Sequence, residues 1–408
     1  MSANSEILVG LDIGTTKICA VVGEVTADGV EIVGMGSHPS VGLRKGVVVN
    51  IENTVASIKK AVEEAELMGG CEIATVITGI AGGHIKGFNS HGVIAIKGRE
   101  VTKRDVDHVI DQARAVAIPT DREVVHILPQ EFVVDGQDGI EDPVGMSGVR
   151  LEARVHIVTG AVASAQNLIK CCNQSGLDVS DIVLQSLASA EAVLTKEERG
   201  LGAALLDFGG GTTDLAIFSA DAIKHTAGLA LGGNNLTTDL AVGLRTPVSS
   251  AEWLKKRWGC CLRSMISESE VMEVESVGGR EPRRVSRMIV GEILEPRVEE
   301  LLTLIMMDIE NSGYKDQVAG GLVLTGGSSL LEGLVELAEQ VANMPARLGY
   351  PRGVSGLTDV VNNPMYSTAV GLILYGMRNR SERKFRIRDV NIFNRVVARM
   401  RKWFRDIV

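Results

Sequence analysis

Ala204-Leu205-Leu206-Asp207-Phe208-Gly209-Gly210-Gly211-Thr212-Thr213-Asp214-Leu215-Ala216-Ile217-Phe218 is the stretch on which the reading of the fold turns. Two continuous apolar runs flank a glycine-rich turn, which predicts two buried strands joined as a hairpin with a carboxylate at each end. Such a turn suits phosphate. Glycines let backbone N–H groups approach an anion and form a concave nest, Thr hydroxyls add donors, and a carboxylate such as Asp207 can hold Mg²⁺ through water. Alone, a triple-glycine hairpin is more often only a turn.

A second copy near the N-terminus changes that balance. Leu8-Val9-Gly10-Leu11-Asp12-Ile13-Gly14-Thr15-Thr16-Lys17, followed by Ile18-Cys19-Ala20-Val21-Val22, repeats strand, Leu-Asp-x-Gly, Thr-Thr, polar residue, strand, with Asp12 lying 195 residues before Asp207. Aligned on the Thr-Thr pair, this copy lacks two glycines and has Lys17 where the other has Asp214. Two similar hairpins half a chain apart predict two similar lobes that clamp a polyphosphate and its metal between them.

The 408 residues suffice for two or more cores. No segment approaches the ~20 uncharged apolar residues of a spanning helix, and the first residues carry no basic leader, so a cytoplasmic protein is expected. Six cysteines include two vicinal pairs and no Cys-x-x-Cys, and the seven histidines show no ligand spacing. Reduced, partly buried thiols and no zinc site follow. The net charge is −9, but residues 377–408 hold eleven Lys/Arg against three acidic residues, a local +8 that leaves −17 for the rest. An acidic body with a basic tail points to an anionic partner for the tail alone.

Along the chain, helical spacing from Asn53 to Leu67 predicts an amphipathic helix closed by Gly69-Gly70, and Ala74–Ile80 reads as a buried strand. From about 84 to 160 the character changes. Thr102 and Asp105 cap a helix with the stripe Val106, Val109, Ile110, Ala113 and Val116, among strand-like runs at 93–96, 123–128, 131–135 and 151–158. This predicts a small α+β insertion, equally readable as structural elaboration or as an interaction module. A helix from Ser164, a strand at 178–183 and a small-residue helix from Gln185 lead into the second hairpin. Glu252, Lys255 and their neighbours start another helix, and residues 271–297 read as irregular and charged, with Arg280, Arg283, Arg284 and Arg287 a solvated face or a dock for an acidic peptide. Leu322–Thr325 reads as a third strand, whose turn Gly326-Gly327-Ser328 opens a helix and could lie against a base or a phosphate.

Beyond a charged linker, Ile392, Phe393, Val396, Val397, Met400, Trp403, Phe404 and Ile407 recur at three and four, with Arg399 and Lys402 among the basic residues opposite. A basic amphipathic helix with aromatic residues on its apolar face predicts binding in the plane of an anionic membrane. A nucleic-acid tail would carry the basic residues without so complete an apolar stripe, so no nucleic-acid partner is expected.

The three glycine turns, in this order, resemble the actin, Hsp70 and sugar kinase nucleotide-binding superfamily; no Walker motif competes with that reading. With the closing Tyr366-Ser-Thr-Ala-Val-Gly371-Leu and the amphipathic tail, the whole chain resembles the FtsA family of bacterial actin-like division proteins. The resemblance implies an α/β, actin-like two-lobed ATPase fold with an inserted small α+β subdomain and a C-terminal amphipathic helix. The first lobe would span 1–83, completed by 161–195 and 365–376, with the insert at 84–160. The second lobe would span 196–240 and 315–364 with a smaller subdomain at 241–314, followed by a linker at 377–390 and a membrane helix at 391–408.

The cofactors implied are ATP and Mg²⁺. Asp12 and Asp207 would face the metal. Gly14, Thr15, Thr16, Lys17, Gly209, Gly210, Gly211, Thr212 and Thr213 would surround the phosphates, and Gly326, Gly327 and Ser328, with Glu252 and Lys255, would lie by the adenosine. Gln185 falls where related proteins position the attacking water, and a neutral amide is a poor base, so at most slow hydrolysis is implied. The implied role is a peripheral protein on the cytoplasmic face of the inner membrane at the division site. There it would bind the C-terminal peptide of FtsZ, self-associate into filaments and recruit later division proteins through 84–160. The alternatives are a small-molecule kinase using the same cleft and a pilus-assembly-type actin-like membrane protein.

Overall fold

The apolar runs around the two hairpins become the central strands of two sheets with the same strand order. A computed structural model describes residues 6–379 of the chain. In the first sheet, Glu6–Ile13 pairs antiparallel with Lys17–Thr26, which pairs antiparallel with Gly29–Pro39. On the other side Glu6–Ile13 runs parallel to Thr75–Ile80, and that strand parallel to Asp178–Leu184. The second sheet repeats this with Ala203–Phe208 at its centre, Thr213–Ser219 and Ala222–Leu229 antiparallel on one side, and Leu322–Thr325 and Ala346–Leu348 parallel on the other. The two lobes expected from the duplicated hairpin thus correspond over five strands, the first sheet carrying a sixth at its edge.

Strands covered on both faces by helices carry continuous apolar sequence, which is why the hairpins read as unbroken runs rather than alternations. Helix Ile51–Gly69 crosses over within the first lobe, N-capped by Asn50 and stopped by Gly70 in the left-handed region, as the glycine pair predicted. Its counterpart in the second lobe is Met288–Ser312. Successive residues of Ala203–Phe208 face different cores: Ala203 and Leu205 pack with the first lobe, Ala204 and Leu206 with the second lobe's own helices.

Each lobe's last parallel strand leads towards a helix between the lobes, Gln185–Val193 in the first and Ser367–Arg378 after the second. These helices cross backbone to backbone, since a Cβ on Gly371 would fall 1.8 Å from the Ala188 carbonyl oxygen. The small residues expected to pack closely do so here.

The insert has its own sheet, ordered Lys86–Ala95, Arg150–Ala161, Arg122–Val134, Gln137–Ile140, and its own apolar core. Helix Lys103–Arg114 covers it behind the Thr102–Asp105 capping box. Two strands expected at 123–128 and 131–135 form one, because the ladder shifts register where Pro129 faces Val155 and so accommodates the missing N–H. Val116, assigned to the helix stripe, lies past the helix end and is exposed.

Other boundaries differ from the sequence reading. Val354–Gly356 pairs parallel with Gly29–Pro39, so the chain returns to the first sheet before residue 365. The final helix continues through Arg378, two residues into the segment expected as linker. Residues 271–297 are not irregular: Val271–Val274 and Arg283–Ser286 form a two-stranded ribbon, and the helix from Met288 runs on through Pro296. Dense charge hid that helix, whose buried stripe is Val290, Leu294, Val298, Leu301 and Leu302. Some of the arginines there are committed, while Arg280 and Arg284 are exposed. Arg287 is 9% exposed, paired with Glu270 at 2.7 Å and with Glu332, and donates to the Trp258 carbonyl at 2.9 Å. Arg283 donates to the Leu244 carbonyl, and Arg297 pairs with Asp239 and Glu300. The remaining linker and the helix expected at 391–408, with Ile392, Phe393, Val396, Val397, Arg399, Met400, Lys402, Trp403, Phe404 and Ile407, lie outside the described residues. Among the described residues no helix is long and apolar enough to cross a membrane.

Candidate functional site

Both hairpins close on the same hydrogen bond, Gly14 N to Lys17 O at 3.0 Å and Gly209 N to Thr212 O at 2.9 Å. Asp12 pairs with Cys19 across one ladder and Asp207 with Asp214 across the other. The copies therefore correspond without a gap: Lys17 to Thr212, Cys19 to Asp214, and Thr15-Thr16 to Gly210-Gly211. This corrects the sequence alignment, which set Lys17 against Asp214 and counted two glycines missing. Matching the Thr-Thr pairs had drawn the copies two residues out of register.

The exchange of threonine for glycine has a steric cause. A Cβ on Gly210 would fall 1.8 Å from Thr16 Oγ1, and one on Gly211 2.6 Å from Thr15 Oγ1. The tips pack crosswise, each threonine of the first lobe over bare backbone of the second. Gly46, in the short ribbon formed by Leu43–Arg44 and Val47–Val48, donates its N–H to Thr15 Oγ1 at 3.0 Å and covers the first tip.

Behind the tips the acidic side chains are buried together: Asp12 and Asp207 are each 7% exposed and Asp214 4%. Lys17 Nζ lies 3.3 Å from Asp12 Oδ2 and 5.1 Å from the centre of the Tyr366 ring. Burial opposes the Lys17 charge, but Asp12 outweighs it and holds the ammonium above its ordinary range. Gln185 Nε2 donates to Asp12 Oδ1 at 3.1 Å. Ser189 Oγ and Thr368 Oγ1 both donate to Asp207 Oδ2, at 2.5 and 3.1 Å, one from each of the crossing helices. Burial raises the Asp207 carboxyl to about 6 despite the Ser189 bond, with the charge of Asp12 adding to it. Burial and then the charge of Asp207 raise Asp214 to about 7, although Thr212 Oγ1 donates to it at 2.9 Å.

Three buried carboxylates against one ammonium leave this place short of positive charge, so the donor set fits a cation. Among the described residues no group of three His, Cys, Asp or Glu forms a metal cage. A cation here would rest on one or two carboxylates, waters and ligand oxygens, which is the habit of Mg²⁺ rather than of zinc. The side-chain-free tip at Gly210 and Gly211 suits an anion beside it.

The third turn joins the same assembly. Gly326 has φ 85°, and a Cβ on it would strike Asp207 Oδ1 at 2.4 Å. Ser328 Oγ donates to the Gly209 carbonyl at 3.0 Å. The turn opens only a single 3₁₀ turn, Gly327–Leu330; the α-helix starts at Leu334. Helix Gly233–Leu244 begins against the second hairpin, Gly233 N bonding Gly209 O at 3.0 Å and Asn234 N bonding Gly210 O at 2.7 Å. Lys255 Nζ reaches the Gly233 carbonyl at 3.0 Å and Glu252 at 2.7 Å, while Glu252 also takes the Thr237 hydroxyl. The proposed metal, phosphate and adenosine groups and Gln185 are thus gathered in one place. Sequence reasoning passed over Gly232-Gly233-Asn234, although a glycine pair between a strand and a helix is the signal it used at Gly326. It also missed Ser189, and it quoted Tyr366 and Thr368 only as part of the closing motif, without a role at the site.

Comparison with known proteins gives two family matches, "Cell division protein FtsA" over residues 204–371 and "SHS2 domain inserted in FTSA" over 82–159. The chain is 54% identical over 380 residues to the cell division protein FtsA of Pseudomonas aeruginosa, covering 93% of this chain and 91% of that one. It is 40% identical over 414 residues to that of Escherichia coli K12, covering 100% and 97%. Among solved structures it resembles the PilM–PilN type IV pilus biogenesis complex, with TM-score 0.64 and 18% identity over 90% of this chain and 98% of that one. It also resembles MreB5 of Spiroplasma citri bound to ADP, with TM-score 0.58 and 15% identity over 93% and 98%. These two likenesses show an actin-like fold and no more.

Proposed function

The chain belongs to the FtsA family of cell division proteins, and from that premise we propose that it is an ATP-gated tether between FtsZ filaments and the membrane. The reading is carried by one observation: two equivalent hairpins, from opposite lobes, bring Asp12 and Asp207 together behind interlocked glycine and threonine tips. Asp12 and Asp207 would face Mg²⁺. Gly14–Lys17 and Gly209–Thr213 would surround the phosphates, and Gly326, Gly327, Ser328, Glu252 and Lys255 would lie by the adenosine. Bound there, the magnesium nucleotide would supply the charge that the three carboxylates and the bare glycine amides each lack. The chain's own part is positional. Lys17 and Asp12 hold one lobe to the ligand, while the second hairpin, docked on helix Gly233–Leu244, holds the other, so the ligand sets the angle between them. Gln185, anchored on Asp12, can orient a water but is a poor base, which suits gating better than turnover.

The finer roles extend this reading. The segment 391–408 would bind anionic lipid on the cytoplasmic face of the membrane at the division site. Copies would assemble into filaments, and residues 84–160 would meet later division proteins. For the FtsZ C-terminal peptide, the internal bonds of Arg283, Arg287 and Arg297 weaken the arginine-rich stretch 280–297 as the dock and leave it the exposed Arg280 and Arg284. A cavity of about 580 Å³ in the same subdomain, lined by Ser250, Trp253, Leu254, Glu273, Glu275 and Pro282, is the seat we favour, because Trp253 is 58% exposed and offers an aromatic anchor.

The test is a comparison of the full chain, Asp207→Ala and a truncation after residue 390. The full chain binds a fluorescent ATP analogue, an FtsZ C-terminal peptide and anionic liposomes. Asp207→Ala loses at least tenfold in ATP affinity, and the truncated chain loses the liposomes while keeping ATP and peptide. Unchanged ATP binding by Asp207→Ala, or unchanged sedimentation of the truncated chain with liposomes, overturns the corresponding half of the proposal.

A further inference from the structure

The insert leaves the first lobe after Ile80 and rejoins it at Val162, yet its sheet rests on the edge strand of the second lobe, Ala222–Leu229. Asn89 Nδ2 donates to the Lys224 carbonyl at 3.2 Å and to the Tyr314 hydroxyl at 2.8 Å. Gln130 Nε2 donates to the Ile223 carbonyl at 2.8 Å. His156, 1% exposed, places Nδ1 2.6 Å from Asn89 Oδ1 and Nε2 2.8 Å from Thr226 Oγ1. Burial keeps this imidazole neutral, with Nδ1–H donating to Asn89 and Nε2 accepting from Thr226. Gly87 makes the approach possible, since a Cβ there would fall 2.3 Å from Thr226 Oγ1.

The same insert is fastened to the first lobe beside the candidate site. His126 Nε2 accepts from the N–H of Leu184, the residue before Gln185, at 2.9 Å. At the root of the insert, the Gly82 backbone hydrogen-bonds to Asp214 of the second hairpin. The lobes are therefore joined at the crossing of Ala188 and Gly371, at the interlocked hairpin tips and through the insert. Rotation about the crossing that parts the tips also pulls strand Ala222–Leu229 from Asn89, Gln130 and His156.

We propose that the insert is a strap that holds the cleft closed, so that a ligand in the cleft leaves only when the Asn89, Gln130 and His156 contacts with the second lobe come apart. This rests on the reading that a nucleotide occupies the cleft. It makes the insert, wherever a partner grips it, a control on nucleotide exchange.

The test uses the full chain and Asn89→Ala/Gln130→Ala, two positions outside the buried core. A bound fluorescent ATP analogue is chased with excess ATP, and backbone hydrogen exchange is followed in nucleotide-free protein. Loss of these side-chain bonds is expected to speed release about tenfold and to raise exchange in Ala222–Leu229 while leaving Glu6–Ile13 unchanged. Wild-type release rates with unchanged exchange at Ala222–Leu229 overturn the strap. If the unaltered chain binds no analogue, the nucleotide reading fails instead, and exchange alone then decides: faster exchange at Ala222–Leu229 supports the strap and unchanged exchange overturns it.

Discussion

Gly210→Ala tests the contact between the lobes most directly. It places a methyl group 1.8 Å from Thr16 Oγ1 and 3.0 Å from Thr16 Cβ, about 1.5 Å inside ordinary contact with the hydroxyl. Gly210 is not among the residues with positive φ, so the backbone accepts alanine and the methyl carries the whole effect. Overpacking of this kind costs about 1–3 kcal/mol. Thr16 and Gly210 belong to different lobes, so the cost falls on the closed cleft alone and weakens ATP binding by about 5- to 150-fold. Thr16→Gly removes the obstructing side chain. In the double variant the clash disappears, giving a coupling of about 1–3 kcal/mol between residues 194 apart in the chain. Calorimetric titration of wild type, both single variants and the double variant with a non-hydrolysable ATP analogue measures that coupling. The reasoning fails if Gly210→Ala binds as tightly as wild type, or if Thr16→Gly brings back none of the lost affinity.

Three further expectations follow from the paired charges and the exposed tryptophan. With folded-state values of about 6 for Asp207 and 7 for Asp214, both above the ordinary 3.8 of an aspartate, the folded chain holds protons more tightly than the unfolded one. Nucleotide-free stability therefore falls as pH rises from roughly 4 to 7 and levels off above. Asp214→Asn should flatten that fall by a few kcal/mol, in the order of 2–4, and a pH series of thermal unfolding with the wild-type slope in the variant would contradict it. Arg287→Ala leaves Glu270 and Glu332 without their partner and should lower stability by about 1–3 kcal/mol with FtsZ-peptide affinity unchanged, as calorimetry and peptide titration would show. Trp253→Ala should do the reverse, weakening the peptide at least tenfold at an unaltered melting temperature; equal affinity would move the dock elsewhere.

The hairpins were legible because their signal is local: an apolar run, a turn and a carboxylate within fifteen residues determine both strand and turn. Their repetition then carried the two-lobed arrangement. The alignment slipped because identity of the Thr-Thr pairs outweighed loop length; the hydrogen bonds Gly14–Lys17 and Gly209–Thr212 and the pairs Asp12–Cys19 and Asp207–Asp214 give the register. Capping chemistry marked the start of the insert helix at Thr102 and Asp105. The helix from Met288 was hidden because its charged face dominates the composition and Pro296 reads as a breaker. The role of Ser189 and Thr368 could not be read, since what gives them meaning is a shared carboxylate 18 and 161 residues away. The seat of the insert on Ala222–Leu229 was unreadable for the same reason: Asn89, Gln130 and His156 stand in no pattern along the chain.

The contact of Gly371 with Ala188 bears on the mechanics of the molecule. Two helices that meet backbone to backbone have no side-chain ridges to climb as one pivots on the other, so the packing there offers little resistance to torsion. Stiffness at that joint falls instead to the hydroxyls of Ser189 and Thr368, one on each helix, that converge on Asp207 Oδ2. An ionised carboxylate grips both hydroxyls, whereas protonation weakens its grip. The torsional stiffness of that crossing then depends on one acid group, and it softens as that group takes up a proton near pH 6.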